Sequence, residues 1–311
     1  MNTLSNCQVL VFIFKFSLIP SNSAVVPPSY IDVTPELLEY MKNFQSPYMK
    51  DVSAFERLAK IGEGTFGEVF KARCKDTGRI VTLKQIEMES ENEGFPAKTL
   101  QEVKMMQKFK YMHINELLEI CSSKETIDTR GLYTFYMVFA YCEHDLASLL
   151  ANTKIQLSLV HIKTMMKQLF KGLYHIHSLN VVHSDLKASN VLITQEGILK
   201  LTDLGLAKPP FSKLPGQIEQ GRTHRAVTVW YSAPELLLGA RDHKAPDDMW
   251  SAGCIMAEMW TRTPILQGEN EQKQLSLISD LCGSIDPQTC KIFKNLPLFG
   301  KMELQQNLKR C

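Results

Sequence analysis

Strand-like patterns fill the first half of the chain. The segment FERLAKIGEGTFGEVFKAR, which begins at Phe55, predicts two strands joined by a glycine turn. IVTLKQIEM, which begins at Ile80, predicts a third strand. The apolar and aromatic run LYTFYMVFAY, at residues 132–141, is typical of a buried strand. This half of the chain is therefore predicted to form a sheet.

Helical spacing marks the second half. Between residues 159 and 176 apolar side chains recur every three or four positions, which predicts an amphipathic helix. Residues 248–260 are nearly apolar all round and predict a buried helix, and another helix is predicted at 96–109 between the strands. Residues 1–54 contain several prolines and no sustained period, so they predict an irregular arm. The fold class indicated is α+β.

Composition narrows the function classes. A length of 311 residues allows one large domain or two lobes around a cleft. The formal net charge of +2 gives no electrostatic case for binding nucleic acid or a membrane surface. The eight cysteines form no CxxC pair, which favours a reducing compartment. The apolar run at residues 9–19 is too short to span a membrane as a helix and lacks the positively charged start of a secretory signal.

The glycine turn has the form GEGTFGEV at residues 62–69. A dinucleotide-binding fold requires such a motif between a strand and a helix, and no helical pattern follows Gly67. Between two strands the motif instead predicts a lid over phosphates, because missing side chains let the backbone approach closely. The residues assigned to this lid are Gly62, Glu63, Gly64, Thr65, Phe66 and Gly67.

Lys84 ends an apolar strand next to this lid. It is predicted to hold the α- and β-phosphates of ATP, with Glu102 on the 96–109 helix fixing its direction. Taken alone, Lys84 is equally consistent with a surface lysine, so its assignment depends on the motifs that follow.

Those motifs occur in the required order. HSDLKASN, at residues 183–190, matches the protein kinase catalytic loop HxDxKxxN. It assigns the hydroxyl-orienting base to Asp185, charge neutralisation to Lys187 and one Mg²⁺ ligand to Asn190. Asp203, in DLG, is predicted as the main Mg²⁺ ligand, and APE at 233–235 closes the activation segment. The predicted cofactors are therefore ATP and Mg²⁺.

From Phe55 to Cys311 the chain resembles the cyclin-dependent kinases, and among them the branch that acts in transcription elongation. The stretches that carry this resemblance are AKIGEGTFGEVFKA at 59–72, CEHDLASLL at 142–150, ASNVLITQEGILKL at 188–201 and CIMAEMWTRTPILQG at 254–268. The resemblance implies a two-lobe kinase domain over 55–311, with an N-lobe at about 55–140 and a C-lobe at about 143–311. Compared with the family, that C-lobe is truncated, which implies exposed apolar surface and an unpaired Glu235.

The resemblance also assigns an adenine site. Ala140 and Cys142 would bind the base through their backbone, with Phe139 behind them and Asp145 at the ribose. The residues that would enclose the base are Ile61, Val69 and Leu192. Thr223 lies where the family is phosphorylated. A T-type cyclin, a protein substrate in the form of the RNA polymerase II C-terminal repeat and elongation factors, and a nuclear location, with the cytoplasm as alternative, are implied as well.

Several departures from the family concern regulation. The three arginines that hold the phosphothreonine are replaced by Gln101, Ser184 and Lys208, and a lysine supplies only a point charge to a phosphate. Ser232 replaces an arginine that shapes the pocket for proline after the target residue. Thr82 replaces an alanine over the adenine.

Two functions remain open from the sequence. The first is a working serine/threonine kinase, because every group that touches ATP, Mg²⁺ and the hydroxyl is present. The second is a kinase-fold binding module that binds nucleotide or cyclin but transfers little phosphate, which the lost arginines and the truncated C-lobe favour.

Overall fold

The computed structural model describes residues 50–64, 67–86, 103, 106–123, 134–204, 229–240, 242–286 and 291–309. The chain divides into two compact units. The first comprises residues 1–105 and 117–141, and the second comprises 106–116 and 142–311. The first unit is rich in strands and the second in helices, so the predicted α+β class is confirmed.

A six-stranded sheet forms the first unit. Its strands are β1 (Lys50–Asp51), β2 (Phe55–Gly64), β3 (Gly67–Cys74), β4 (Ile80–Ile86), β5 (Leu117–Ser122) and β6 (Phe135–Ala140). They lie in the order β1-β5-β6-β4-β3-β2, and every pair is antiparallel except β1 with β5. The predicted hairpin is present as β2 and β3, the predicted third strand as β4, and the predicted buried strand as β6.

Period-two burial produces the core of this sheet. In β4, Val81 and Leu83 are buried on one face of the sheet, and Lys84 and Ile86 are buried on the other. The core cluster consists of Phe55, Ala72, Cys74, Val81, Leu83, Cys121, Tyr136 and Val138. Val103 and Met106, on the predicted 96–109 helix, are helical and buried, while most of that segment lies outside the described residues.

The second unit contains five helices among its described residues. They are α1 (Leu146–Ala151), α2 (Leu159–Ser178), α3 (Pro234–Leu237), α4 (Ala245–Thr261) and α5 (Glu271–Cys282). A small antiparallel sheet accompanies them, formed by β7 (His144–Asp145), β8 (Val191–Ile193) and β9 (Leu199–Leu201).

Helix α2 matches the amphipathic prediction. The Ser158 hydroxyl caps its first turn by accepting a bond from the backbone N–H of His161 at 3.3 Å. Its buried residues are Ile162, Met166, Leu169, Gly172, Leu173 and Ile176. Gly172 is needed for packing, because a Cβ there would lie 3.0 Å from the Leu201 side chain.

Helix α4 departs from its prediction. It was expected to be buried all round, but Met249, Met256 and Trp260 are exposed, and a Cβ at Gly253 would meet nothing within 4 Å. The difference arises because its described neighbours, including α2 and the 3-10 turn Val229–Tyr231, cover only one side of it.

The second unit has its own apolar cluster. The cluster joins α3, α4 and α5 through Leu237, Leu238, Cys254, Leu266, Leu275, Ile278 and Ile285. Among the described residues, Cys74, Cys121, Cys142 and Cys254 form no disulfide. Within the part of the chain that the structure describes, no helix is long and apolar enough to cross a membrane.

Candidate active site

The glycine turn joins β2 to β3. Gly62 pairs with Val69 and Gly64 pairs with Gly67, which closes the hairpin. Gly67 has a φ of 125°, a backbone conformation that strains any residue with a Cβ, so the local fold requires glycine there. Thr65 and Phe66, at the tip, lie outside the described residues.

Gly62 needs a different explanation. A Cβ at this position would meet no protein atom within 4 Å, and its φ is not positive, so packing does not demand glycine. Glycine inside a strand weakens it and often marks a site where a ligand or another backbone approaches closely. Ile61 and Glu63, on either side, are exposed. The hairpin therefore has room for a ligand against its backbone.

Lys84 lies in the middle of the sheet. In β4 it pairs with Val69 of β3 on one side and with Met137 of β6 on the other. Its exposed fraction is only 9%. Holding an ammonium group in a buried position costs free energy unless the group is paired, which argues for a functional lysine rather than a surface one. Glu102, its predicted partner, lies outside the described residues.

The predicted adenine-binding residues are divided between the two units. Phe139 is buried in β6 and pairs with Thr82, and Ala140 pairs with Val81. The register thus places Thr82 beside Phe139, where its hydroxyl adds volume next to the predicted base site.

Cys142, Asp145 and Leu192 lie in the second unit. Burial raises the pKa of the Cys142 thiol to about 11, so the thiol is neutral at physiological pH. Leu192 pairs with Asp145 across β7 and β8. Asp145 caps α1, accepting bonds from the Ser148 backbone N–H at 2.8 Å and from the Ser148 hydroxyl at 2.6 Å.

The catalytic loop brings its three predicted residues together. The Lys187 ammonium group donates to Oδ2 of Asp185 at 2.9 Å, and the Asn190 amide donates to the same oxygen at 3.2 Å. The Asn190 amide also donates to the Asp185 backbone carbonyl at 2.8 Å. The two contacts with Oδ2 fix the direction of the Asp185 carboxylate, whose exposed fraction is 16%. Oδ1 carries no such contact with Lys187 or Asn190, so it remains an acceptor for a hydroxyl.

Asp248 anchors this loop, and the sequence reading missed it. Its Oδ2 accepts bonds from Nε2 of His177 at 2.7 Å and from the His183 backbone N–H at 2.9 Å. Its Oδ1 accepts a bond from the Ser184 backbone N–H at 3.1 Å. The available signal was an aspartate inside an otherwise apolar helix, because a buried carboxylate needs polar partners.

Ser184 adopts a left-handed conformation, with a φ of 69°. Its backbone is held by Asp248, and its hydroxyl contacts the Val182 carbonyl at 3.5 Å. Serine therefore preserves the loop conformation. Its short side chain cannot supply the guanidinium that the resemblance leads one to expect at this position.

Asn190 and Asp203 have the chemistry of Mg²⁺ ligands. The Asn190 amide nitrogen is used by Asp185, so its carbonyl oxygen is the atom available to a metal. The backbone N–H of Thr202, next to Asp203, donates to the backbone carbonyl of Asn190 at 3.1 Å, which ties the two segments together. Mg²⁺ prefers carboxylate and carbonyl oxygens, so this donor set fits it.

The end of the activation segment is firmly held. The Trp230 indole donates to the Gly268 carbonyl at 3.0 Å, and the Tyr231 hydroxyl donates to Glu258 at 2.7 Å. Ser232 follows directly, where an arginine was expected by resemblance. The segment before it, including Thr223, lies outside the described residues.

Glu235 was expected to lack its basic partner, and among the described residues its contact is with another acidic residue. Its carboxyl group shares a hydrogen bond with Asp247. Burial, reinforced by this contact, raises the pKa of Asp247 to about 7. The contact between two carboxyl groups requires a proton on one of them.

Comparisons with known proteins agree with this geometry. The family model for the protein kinase domain matches residues 55–297. The chain is 53% identical over 283 residues to probable cyclin-dependent kinase 9 of Caenorhabditis elegans, covering 89% of this chain and 59% of that protein. It is 51% identical over 266 residues to human cyclin-dependent kinase 9, covering 86% of this chain and 71% of that protein.

A solved structure is similar as well. It is the crystal structure of the yeast RNA Pol II CTD kinase CTDK-1 complex, with a TM-score of 0.70 and 32% identity, covering 86% of this chain and 82% of that one. The predicted kinase fold, with a strand-rich N-lobe and a helical C-lobe, is confirmed. The chain belongs to the protein kinase family and, within it, to the cyclin-dependent kinases related to cyclin-dependent kinase 9.

Proposed function

We propose that this chain is a cyclin-dependent serine/threonine kinase that transfers the γ-phosphoryl group of ATP to a protein hydroxyl. The observation that carries the proposal is the Asp185 carboxylate, held at one oxygen by Lys187 and Asn190. A carboxylate fixed at one oxygen, with no hydrogen bond from Lys187 or Asn190 to the other oxygen, suits the orientation of a substrate hydroxyl.

The chemistry assigned to these residues is a phosphoryl transfer. The substrate oxygen forms a bond to the γ-phosphorus while the bond from phosphorus to the β–γ bridging oxygen breaks, and Asp185 accepts the hydroxyl proton. Lys187 lies 2.9 Å from that carboxylate and brings a positive charge to the site of the transferring group.

The remaining site residues would hold the nucleotide. Asn190 and Asp203 would bind Mg²⁺, which supplies neutralisation of the phosphate charge when bound. Lys84 would contact the α- and β-phosphates, steered by Glu102, and the glycine hairpin would cover them. The Ala140 carbonyl and the Cys142 N–H would bind adenine, and burial of the Cys142 thiol suits a residue that contributes through its backbone.

The substrate and partner are proposed from the relatives. The yeast structure is titled an RNA Pol II CTD kinase complex, and several relatives at about half identity are named cyclin-dependent kinase 9. We therefore propose the C-terminal repeat of RNA polymerase II as substrate, together with elongation factors, a T-type cyclin as partner and the nucleus as location.

Activation would depend on cyclin more than on phosphorylation. Ser184 holds the loop conformation through Asp248 without a guanidinium, and Gln101 and Lys208 replace the other two arginines. Thr223→Ala should therefore lower the cyclin-stimulated transfer rate by less than about threefold, because the phosphate lacks its bidentate partners. A loss of two orders of magnitude in that assay would contradict this part of the proposal.

The second candidate is a binding module, and Ser184 and Ser232 favour it because both replace predicted arginines of the regulatory and substrate sites. The test is radiolabelled phosphate transfer to a polymerase repeat peptide by the purified chain, with and without a T-type cyclin. The control variant Asp185→Asn should abolish transfer. Folded protein that binds Mg-ATP but transfers nothing in the presence of cyclin would favour the binding module.

A further inference from the structure

The outward side of α2 carries basic and apolar side chains together. Six residues, which we call the α2 stripe, line an open groove of about 540 Å³: Lys163, Met166, Lys167, Phe170, Lys171 and Tyr174. None of them belongs to the proposed active site. The amphipathic pattern of α2 accounts for Met166, which is buried, but not for the two aromatic residues beside it.

The stripe has two parallel rows. Lys163, Lys167 and Lys171 recur every four residues, and so do Met166, Phe170 and Tyr174. Residues four apart lie on the same helix face, so each row spans about 12 Å along the axis. The row of positive charge thus runs alongside a row of apolar contact surface over two helical turns.

The lysine row and the two aromatic residues of the other row face solvent, and Met166 is buried. The exposed fraction of Tyr174 is 77% and that of Phe170 is 40%. No carboxylate among the described residues lies within ion-pair distance of Lys163, Lys167 or Lys171. Exposed aromatic surface rimmed by charge marks an interaction site more often than a random surface does.

We propose that the α2 stripe docks an acidic helical segment of a partner protein. Carboxylates spaced one turn apart on that segment would match the lysine row. Leucine or phenylalanine side chains on the same face would fill the groove over Met166, between Phe170 and Tyr174. This occupant satisfies both rows at once, and the apolar lysine stems add to the contact.

Two other classes of partner fit less well. A membrane surface is broad, whereas the stripe is confined to six residues along about 12 Å of one helix. For nucleic acid, the neighbouring groove formed by Lys110, Tyr111, Met112, Glu116 and Lys200 contains a carboxylate that would repel phosphate. The net charge of +2 also gives little long-range attraction to a polyanion.

The test is fluorescence anisotropy with a designed peptide of about five helical turns. The peptide carries glutamates four residues apart and leucines on the same face, and its control carries glutamine at the glutamate positions. The full chain is tested as wild type, as Lys163→Glu/Lys167→Glu/Lys171→Glu, and as the matched variant Lys273→Glu/Lys294→Glu/Lys301→Glu. Both triple variants change the net charge equally at exposed lysines.

The expected result distinguishes the effect of the three stripe lysines from the effect of net charge. The stripe variant should bind the acidic peptide at least about tenfold more weakly, and the matched variant should bind like wild type. Tyr174→Ser, a single change at an exposed site, should weaken binding several-fold without altering the thermal unfolding midpoint. Phosphate transfer by the active site is measured separately, so failure here leaves the proposed function untouched.

Four outcomes would overturn the proposal. The first is equal weakening by both triple variants, which would indicate only net charge. The second is equal binding of the glutamine peptide. The third is tighter binding of an oligouridine or of phosphatidylserine vesicles than of the peptide, lost in the stripe variant, which would reassign the surface to nucleic acid or membrane. The fourth is a dimer of the chain that Tyr174→Ser dissociates, which would make the occupant a second copy.

Discussion

Two adjacent aspartates in the first turn of α4 occupy opposite environments. Asp248 accepts three hydrogen bonds, from the His177 ring and from the backbone N–H groups of His183 and Ser184. Asp247 accepts a bond from the Lys244 N–H at 2.8 Å, lies 4.0 Å from Nδ1 of His243 and contacts the carboxyl group of Glu235. Both side chains are buried.

The comparison shows which surroundings let a buried carboxylate hold a loop in place and which surroundings raise its pKa. Donors to both carboxylate oxygens let Asp248 hold the catalytic loop. Burial, together with the neighbouring carboxyl group of Glu235, raises the pKa of Asp247 to about 7, so Asp247 binds a proton more tightly in the folded state. The same residue type therefore organises the active site at one position and carries a pH-dependent cost at the next.

The largest expected effect comes from removing the anchor. Asp248→Ala leaves one buried and two partly buried donors without an acceptor and should lower the free energy of unfolding by about 3–5 kcal/mol. Phosphate transfer should fall as well, because Asp185 follows the loop that Asp248 holds. Urea denaturation measures the first effect. Asp248→Asn, which keeps one acceptor oxygen, should lose less unfolding free energy. Equal losses in the two variants would show that the acceptor oxygens of Asp248 are not what stabilises the loop.

A smaller effect is expected from pH acting through Asp247. Its pKa rises from 3.8 to about 7 on folding, so the folded state binds the proton more tightly. The resulting stabilisation is fully present below about pH 4 and is lost as pH rises to about 7. Asp247→Asn does not titrate and can donate to Glu235.

The measurement is the unfolding free energy of both proteins between pH 5 and pH 8. Above pH 7, Asp247→Asn should be more stable than wild type by about 1–2 kcal/mol. At pH 5 the difference should be small. A constant difference across this range would show that the proton between Asp247 and Glu235 does not contribute.

The smallest effect concerns one donor of the anchor. His177→Ala removes the ring that donates to Asp248 at 2.7 Å but leaves both backbone donors in place. It should cost about 1 kcal/mol of stability. His177→Gln, which retains an N–H donor, should recover part of that loss in the same denaturation experiment. No recovery would indicate that ring packing, rather than the hydrogen bond, is responsible.

The strands, α2 and the grouping of Asp185, Lys187 and Asn190 could be predicted because each depends on a pattern within one short stretch of sequence. Period-two burial in β4, three-to-four spacing in α2 and the motif from His183 to Asn190 each lie in one short segment. The Asp248 contacts join residues 64 and 65 positions apart, which no local pattern encodes.

Other features could not be predicted from the sequence because they depend on which elements pack against each other. The exposure of Met256 and Trp260 depends on which elements pack beside α4, so an apolar composition alone predicted burial wrongly. The pairing of Glu235 with Asp247 likewise depends on how α3 meets α4. Asp145 was assigned to the ribose by resemblance, and only the structure revealed that it also caps α1.

The central claim is that the Asp185 carboxylate, fixed by Lys187 and Asn190, carries the phosphoryl transfer. The most direct measurement compares wild type with Asp185→Asn in the presence of cyclin, recording both the thermal shift caused by Mg-ATP and the single-turnover transfer rate. We expect equal thermal shifts and a transfer rate at least about a hundredfold lower in the variant, as loss of a general base implies. Equal transfer rates in the two proteins would contradict the account.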